Sequence, residues 1–400
     1  MEQKIEKGIL EDKKISMAIM SSFVVLTIQY LILIYFDLID TSIGEKVQLS
    51  SKAIVGLFYL LALPIALKRN KIEFIGIYIF SIFIFLINYI FFNENWVYLK
   101  SIIFPFFFTC LPSFIYSYSI HEWDILMYFM KKTSKIVFVV GTIIGILVFL
   151  GKSSVGTYSM RLSYYMLLPT AIYLDEFLEK MSLKNGLIIS ICLMIILALG
   201  SRGAILCIGI FTILKLVKNI SKLTYTKILF YLIIFTIVIT GLIFLDEILE
   251  YIYDFLLSFG IKSRSIQLFL RDDVHLSGRD RLYEDVIEEI FNRPFLGIGL
   301  AGDRAITGGY VHNIFIEILA NFGIVLGVLN IIALLYIIIK SLFIKNIKKY
   351  NMIIIWLSIG FVHLFVSTSY LIEFKFWIFL GLLFNKLFNN KKVINLQQHI

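Results

Sequence analysis

Apolar stretches long enough to cross a hydrocarbon core of ~30 Å recur along this chain from Ile15 to Leu387. Such spacing leaves room for one bundle of membrane spans and none for a separate soluble core. Composition agrees: 59% of residues are hydrophobic and 16% charged, whereas soluble domains run near one half and one quarter. Residues 1–400 are therefore read as a single polytopic membrane domain, an all-α integral membrane protein.

About twelve spans are expected, at residues 15–36, 53–67, 72–92, 97–118, 136–151, 162–177, 186–200, 203–217, 227–245, 313–339, 352–366 and 371–387. The first follows Lys4, Lys7, Lys13 and Lys14 without a small-residue cleavage site, which predicts a retained span and not a removed signal peptide. Ten spans result if 162–177, which contains Pro169, does not cross and 186–214 is one long helix. A hairpin is preferred there, because one continuous helix would bury Arg202 in mid-membrane, at roughly 2.5 to 3.5 kcal/mol. Each arm of that hairpin is short, so the Ser201–Arg202–Gly203 turn is expected below the outer surface, in a polar cavity. Cys110, Cys192 and Cys207 fall inside apolar segments without CxxC spacing and read as small buried hydrophobes.

Lysine dominates the short loops that face the cytoplasm when both termini are placed inside, as the positive-inside rule requires. Arginine behaves differently. Of nine arginines only Arg69 falls inside; Arg161, Arg202, Arg264, Arg271, Arg279, Arg281, Arg293 and Arg304 face outward. A guanidinium presents a rigid fork of donors that matches phosphate or carboxylate oxygens two at a time, which the point charge of lysine does not. The outward arginines either bind a phosphorylated or acidic ligand or pair with Asp272, Asp273, Asp280, Asp285 and Asp303 nearby. The net charge of +9 does not indicate nucleic acid, because topology already explains the loop lysines.

Most of the outward basicity lies in one long extracytoplasmic loop, residues 246–311, too long to be a mere connector. Within it, residues 279–291 carry Leu282, Val286, Ile287, Ile290 and Phe291 on one helical face, with Ser277 as N-cap and Pro294 as stop. Gly297, Gly299 and Gly302 match the spacing of a dinucleotide fingerprint, but no strand precedes them and the segment is placed outside. These glycines instead suit a tight turn and close approach to a neighbour. His312 stands at the entrance to the next span, where a neutral imidazole can serve as general base or play a structural part. Glu317, one turn further on, is placed to orient His312 or to line a polar cavity.

Three segments taken together resemble the O-antigen ligase and Wzy polymerase family: SRGAIL at 201–206, SGRDRLYEDVIEEIFNRPFLGIGL at 277–300 and HNIFIEILANFGIVLG at 312–327. The resemblance covers residues 186–327 by motif and the remainder by topology. It implies transfer of a polyprenyl-pyrophosphate-linked oligosaccharide to a sugar hydroxyl outside the bacterial cytoplasmic membrane, with no cofactor and no metal. It assigns Arg202 and Arg279 to the pyrophosphate and His312 to deprotonation of the acceptor. Arg161 is a further substrate-binding candidate, with Arg281, Asn313 and Glu317 in support. Asn321 departs from the acidic residue common at that position. A chain-length regulator and a flippase are the partner proteins such a role implies.

Electrostatic stabilisation of a leaving pyrophosphate together with a base on the nucleophile accounts for this chemistry, without the paired carboxylates of a glycoside hydrolase. The rival class is a transporter, which internal repeats with interrupted helices would favour; no convincing repeat is visible. The loop is thus expected to act as a lid that carries Arg279 and His312 over a pocket floored by Arg202.

Overall fold

The computed structural model describes residues 2–39, 41–149, 159–198, 201–219, 244–258 and 279–389. It is helical throughout these residues, in the order α1 (Glu2–Tyr35), α2 (Ser42–Arg69), α3 (Lys71–Phe91), α4 (Trp96–Pro105), α5 (Leu111–Tyr118), α6 (Trp123–Phe149), α7 (Ser159–Glu179), α8 (Leu183–Ala198) and α9 (Arg202–Asn219). There follow α10 (Leu245–Ser258), α11 (Arg279–Asn292), α12 (Gly302–Thr307), α13 (Ile314–Leu342), α14 (Ile347–Trp356) and α15 (Phe374–Phe384). A π-turn at Phe106–Cys110 joins α4 to α5, and irregular turns at Leu357–Phe361 and Val362–Phe365 prolong α14.

Five helices are long and apolar enough to cross a membrane by length and composition: Glu6–Tyr35, Ser42–Arg69, Lys71–Phe91, Asn93–Tyr118 and Ile314–Leu342. The chain is thus an all-helical, multi-pass membrane protein. Helices also occupy the other expected segments, except 227–245, nearly all of which lies outside the described residues. The SRG turn separates two helices, α8 ending at Ala198 and α9 beginning at Arg202. Several helices begin more than a turn ahead of the expected spans, among them α1 at Glu2, α2 at Ser42 and α6, which begins at Trp123 and not near residue 136. Trp123, Leu126, Met130 and Val137 recur at helical spacing and are buried. Lys131, Lys132 and Lys135 are exposed, so hydropathy alone hides the helix.

Contacts divide the chain into two units, Met1–Ser22 with Lys52–Met130 and His275–Ile400, and Phe23–Ser51 with Lys131–Val274. In the second unit, α8 and α9 both pack on α7. Lys215 of α9 is fully buried there, at 2.5 Å from Asp175 and 3.0 Å from Glu179. In the first unit, α15 lies against α5, with Gly381 backed onto Phe114 and Ser117. Close approach of this kind supplies packing energy where lipid removes the usual hydrophobic drive between helices.

Arg69 closes one end of the first unit. Its Nη1 donates to Asp12 Oδ1 at 2.5 Å and to the Ser119 carbonyl at 2.8 Å, its Nε to Glu11 Oε2 at 3.2 Å, and its Nη2 to the Gly8 carbonyl at 3.3 Å. Asp12 in turn accepts the backbone N–H groups of His121 and Glu122. One guanidinium thereby fastens α1, α2 and the turn before α6 together.

The long loop holds the expected helix, α11, with α10 earlier in the loop and an irregular glycine-rich stretch after α11. On α11 the buried face is narrower than the pattern suggested. Val286 and Ile290 pack with Tyr283 against Ile298, Val311 and Ala320, whereas Ile287 and Phe291 are exposed. Positions 283, 286 and 290 lie along one stripe, and each of 287 and 291 is about 100° further round. The expected cap, Ser277, lies outside the described residues.

Candidate functional site

The glycine-rich turn after α11 docks into a break in α13. Gly323 has φ 74° and ψ 179°, a conformation open essentially to glycine alone, and it divides α13 into a short leading segment and a long trailing one. Ile324 N–H, freed by the break, donates to the Pro294 carbonyl at 2.7 Å, and the Ala320 carbonyl accepts from Ile298 N–H at 2.7 Å. A side chain at Gly323 would place its Cβ 2.7 Å from the Phe295 backbone, and Gly297, at φ 68°, abuts Ala320 and Gly323 just as closely. The far side of the turn is held by α3 and the turn after it: Leu300 N–H donates to Asn88 Oδ1 at 2.6 Å, and Asn95 Nδ2 to the Ile298 carbonyl at 2.8 Å. The glycines thus make a docked turn, as expected of them, and the dinucleotide alternative finds no strand before it among the described residues.

This turn delivers α12, and α12 delivers the entrance to α13. Asp303 is fully buried and its Oδ2 accepts the Val311 N–H at 3.0 Å. Thr307 Oγ1 donates to the Gly309 carbonyl at 2.5 Å, tightening the same loop. His312 follows in the left-handed region at φ 56°, half-buried, its ring 4.3 Å from that of Tyr310 between centroids. Holding a residue with a Cβ in that region costs about 1 kcal/mol or more, so the bonds on either side define the histidine's position. On its other side, Asn313 caps α13, its Oδ1 accepting from Phe315 N–H at 3.0 Å and Ile316 N–H at 3.3 Å.

Below the entrance lies a buried polar cluster. Glu317 accepts from the Ser369 hydroxyl and, at 3.2 Å, from Tyr370 N–H, so both its oxygens are engaged by the loop before α15. Asn321 donates from Nδ2 to the Tyr370 hydroxyl at 2.7 Å, a bond that an acidic side chain at this position would have to reverse. Arg304 is 6% exposed, and its Nη1 and Nη2 make no hydrogen bond among the described residues. Burial pushes the Asp303 carboxyl above the usual carboxylate range, against the opposing pull of the Arg304 charge and the Val311 N–H. A second buried group, His363, Glu373 and Lys375, lies in the same unit, with Lys375 Nζ 3.5 Å from both Glu373 Oε1 and His363 Nδ1.

Of the residues singled out from sequence, the first unit holds Arg279 and Arg281 in the first turn of α11, His312 and Asn313 at the start of α13, and Glu317 one turn later. Arg281 is exposed. The second unit holds Arg161 in α7 and Arg202 as the first residue of α9. The side chains of Arg161, Arg202 and Arg279 lie outside the described residues, as do Arg264 and Arg271 altogether. Arg293 forms an exposed pair with Glu94 at 3.7 Å, the ordinary fate of a loop arginine. Sequence reasoning named Arg304 only among the outward arginines and Asp303 only among the acids near them, and it passed over Ser369 and Tyr370. Ser369 and Tyr370 become visible only through contacts distant in sequence.

Comparison with known proteins gives one match. No curated protein and no solved structure matches the chain. The model of the O-antigen ligase family matches residues 187–331, a segment that contains Arg202, Arg279, the docked glycine turn, His312 and Gly323 and leaves Arg161 outside it. Within a multi-pass helical fold, residues 187–331 are thus similar to the O-antigen ligase family, whose members transfer glycans.

Proposed function

We propose that the protein is an oligosaccharide repeat-unit polymerase of the Wzy type, moving a polyprenyl-pyrophosphate-linked glycan onto a hydroxyl of a lipid-linked repeat unit for a capsule or O-antigen. The observation that carries glycan transfer is the family match over a segment that includes SRG, the loop arginine and the His312–Asn313 entrance. In this reading His312 takes the proton of the acceptor hydroxyl as its oxygen forms the new bond to the anomeric carbon. The bond from that carbon to the pyrophosphate oxygen breaks, and polyprenyl pyrophosphate leaves with its charge held by Arg202 and Arg279. Arg161, Arg281, Asn313 and Glu317 support substrate and backbone around these groups. The site works on the outer face of a bacterial cytoplasmic membrane with both termini inside, in about twelve spans, alongside a flippase and a chain-length regulator.

A second reading is favoured by the description of the matched family: an O-antigen ligase, which hands the glycan to a lipid A core or another terminal acceptor. The acceptor separates the two. Membranes supplied with lipid-linked repeats alone yield a ladder of polymer under the first reading and no elongation under the second. Complementation of a chromosomal deletion with His312→Ala, Arg202→Ala and Arg279→Ala, at verified membrane levels, tests the chemistry common to both; wild-type product from all three overturns it.

A further inference from the structure

Arg304 is the one described arginine that is buried and has both terminal nitrogens without a hydrogen-bond partner among the described residues. A guanidinium stays protonated at any ordinary pH, so its charge cannot be relieved by losing a proton. Burying such a charge is costly unless hydrogen bonds complete it. Two carboxylates in the same cluster do not do so: Asp303 gives its Oδ2 to Val311 N–H and its Oδ1 makes no hydrogen bond among the described residues, while Glu317 gives its oxygens to Ser369 and Tyr370. Both carboxyl groups lie close enough to interact with its charge, but its fork of donors is left open. The helix that bears it is not free to turn away, since Asn95 and Asn88 hold the turn before it and Asp303 ties it to the residue that precedes His312.

We infer that Arg304 is a further substrate-binding residue, whose Nη1 and Nη2 take two oxygens of one phosphoryl group of the polyprenyl pyrophosphate. The inference rests on the glycan-transfer reading and deepens it. A planar fork with two free N–H ends matches two phosphoryl oxygens, and a neutral or singly hydrogen-bonding sugar hydroxyl would leave one end unfilled. Asp303, at the same place, acts as a positioning residue that couples the helix carrying the fork to the His312 turn.

The test uses the full-length protein in lipid nanodiscs, with polyprenyl pyrophosphate and polyprenyl monophosphate as probes, in wild type, Arg304→Lys and Arg304→Gln. Lysine keeps the counter-charge for Asp303 and Glu317 but loses the fork. The expected result is an unchanged melting temperature for Arg304→Lys in the absence of probe, with affinity for the pyrophosphate lowered about 10- to 100-fold. In wild type, hydrogen exchange in the peptide over residues 301–312 slows on adding the probe, a measurement that needs no variant. Pyrophosphate affinity equal to wild type in Arg304→Lys or in Arg304→Gln overturns the inference and leaves glycan transfer standing, with Arg304 a buried counter-charge only. Absence of slowed exchange over 301–312 overturns it likewise. Failure of the wild type to bind polyprenyl pyrophosphate overturns the glycan-transfer reading and this inference together.

Discussion

Arg69 and Arg304 are both buried arginines of the same unit, and they meet opposite surroundings. Arg69 has its donors filled by Asp12, Glu11 and two backbone carbonyls. Arg304 sits beside Glu317, whose oxygens are turned to Ser369 and Tyr370, and beside Asp303, which gives only Oδ2 to another donor, and its own fork makes no hydrogen bond among the described residues. A guanidinium completed by fixed partners is a fastening. One with carboxyl groups nearby but with its donors unfilled is a preorganised receptor, since the folding of its neighbours has already met the cost of orienting it.

If that contrast is right, chemistry should fail around Arg304 while folding should fail around Arg69. His312→Ala should lower glycan transfer about 10²- to 10⁴-fold, the range lost with a general base, and leave the melting temperature as in wild type. Retention of full transfer rates would break the functional side of the comparison. Next in size, Arg69→Ala should cost about 3 to 5 kcal/mol of stability, because Asp12, 1% exposed, loses its counter-charge. Equilibrium unfolding in mixed micelles measures this, and a loss below 1 kcal/mol would reduce Arg69 to an ordinary surface pair.

Gly323→Ala should be smaller, about 1 to 3 kcal/mol from the forced backbone conformation. It should also loosen the glycine turn, so that protease nicking between residues 294 and 300 increases; an unchanged digestion pattern would show that the turn does not depend on the helix break. Least of all is a pH effect at Asp303. Its carboxyl, raised by burial, holds a proton more readily in the folded protein than in the unfolded chain. The stability it contributes is therefore present at low pH and lost as pH rises through the folded value. Asp303→Asn keeps an acceptor for Val311 N–H, so the wild-type melting temperature should gain on that of the variant as pH falls from about 7 to about 5. A gap that stays constant would remove the burial argument.

How far the sequence carried these conclusions differs from segment to segment. Lipid-length apolar runs announced the helices, and the docked turn was legible in Gly297 and Gly299 because few other residues tolerate such a backbone. The α6 boundary was not, because Lys131, Lys132 and Lys135 lower its hydropathy while the buried stripe runs on beneath them. The α11 face came out too wide because Ile287 and Phe291 satisfy helical periodicity without contacting α13. His312 was legible from its chemistry and its place at a helix entrance. Nothing local distinguished Arg304 from Arg293, although one is enclosed and the other pairs with Glu94 in the open.

The sequence by itself determined the solvent, the helical class, the existence of an arginine-rich loop and the family segment, since these follow from composition, period and spacing along the chain. The tertiary structure alone decided that α13 breaks at Gly323 to receive the turn, and that Ser369 and Tyr370 claim Glu317. It alone decided as well which buried arginine is complete and which is open. Hydrogen-bond completion depends on partners brought from distant parts of the chain, and local sequence carries no record of which oxygens those partners have already committed.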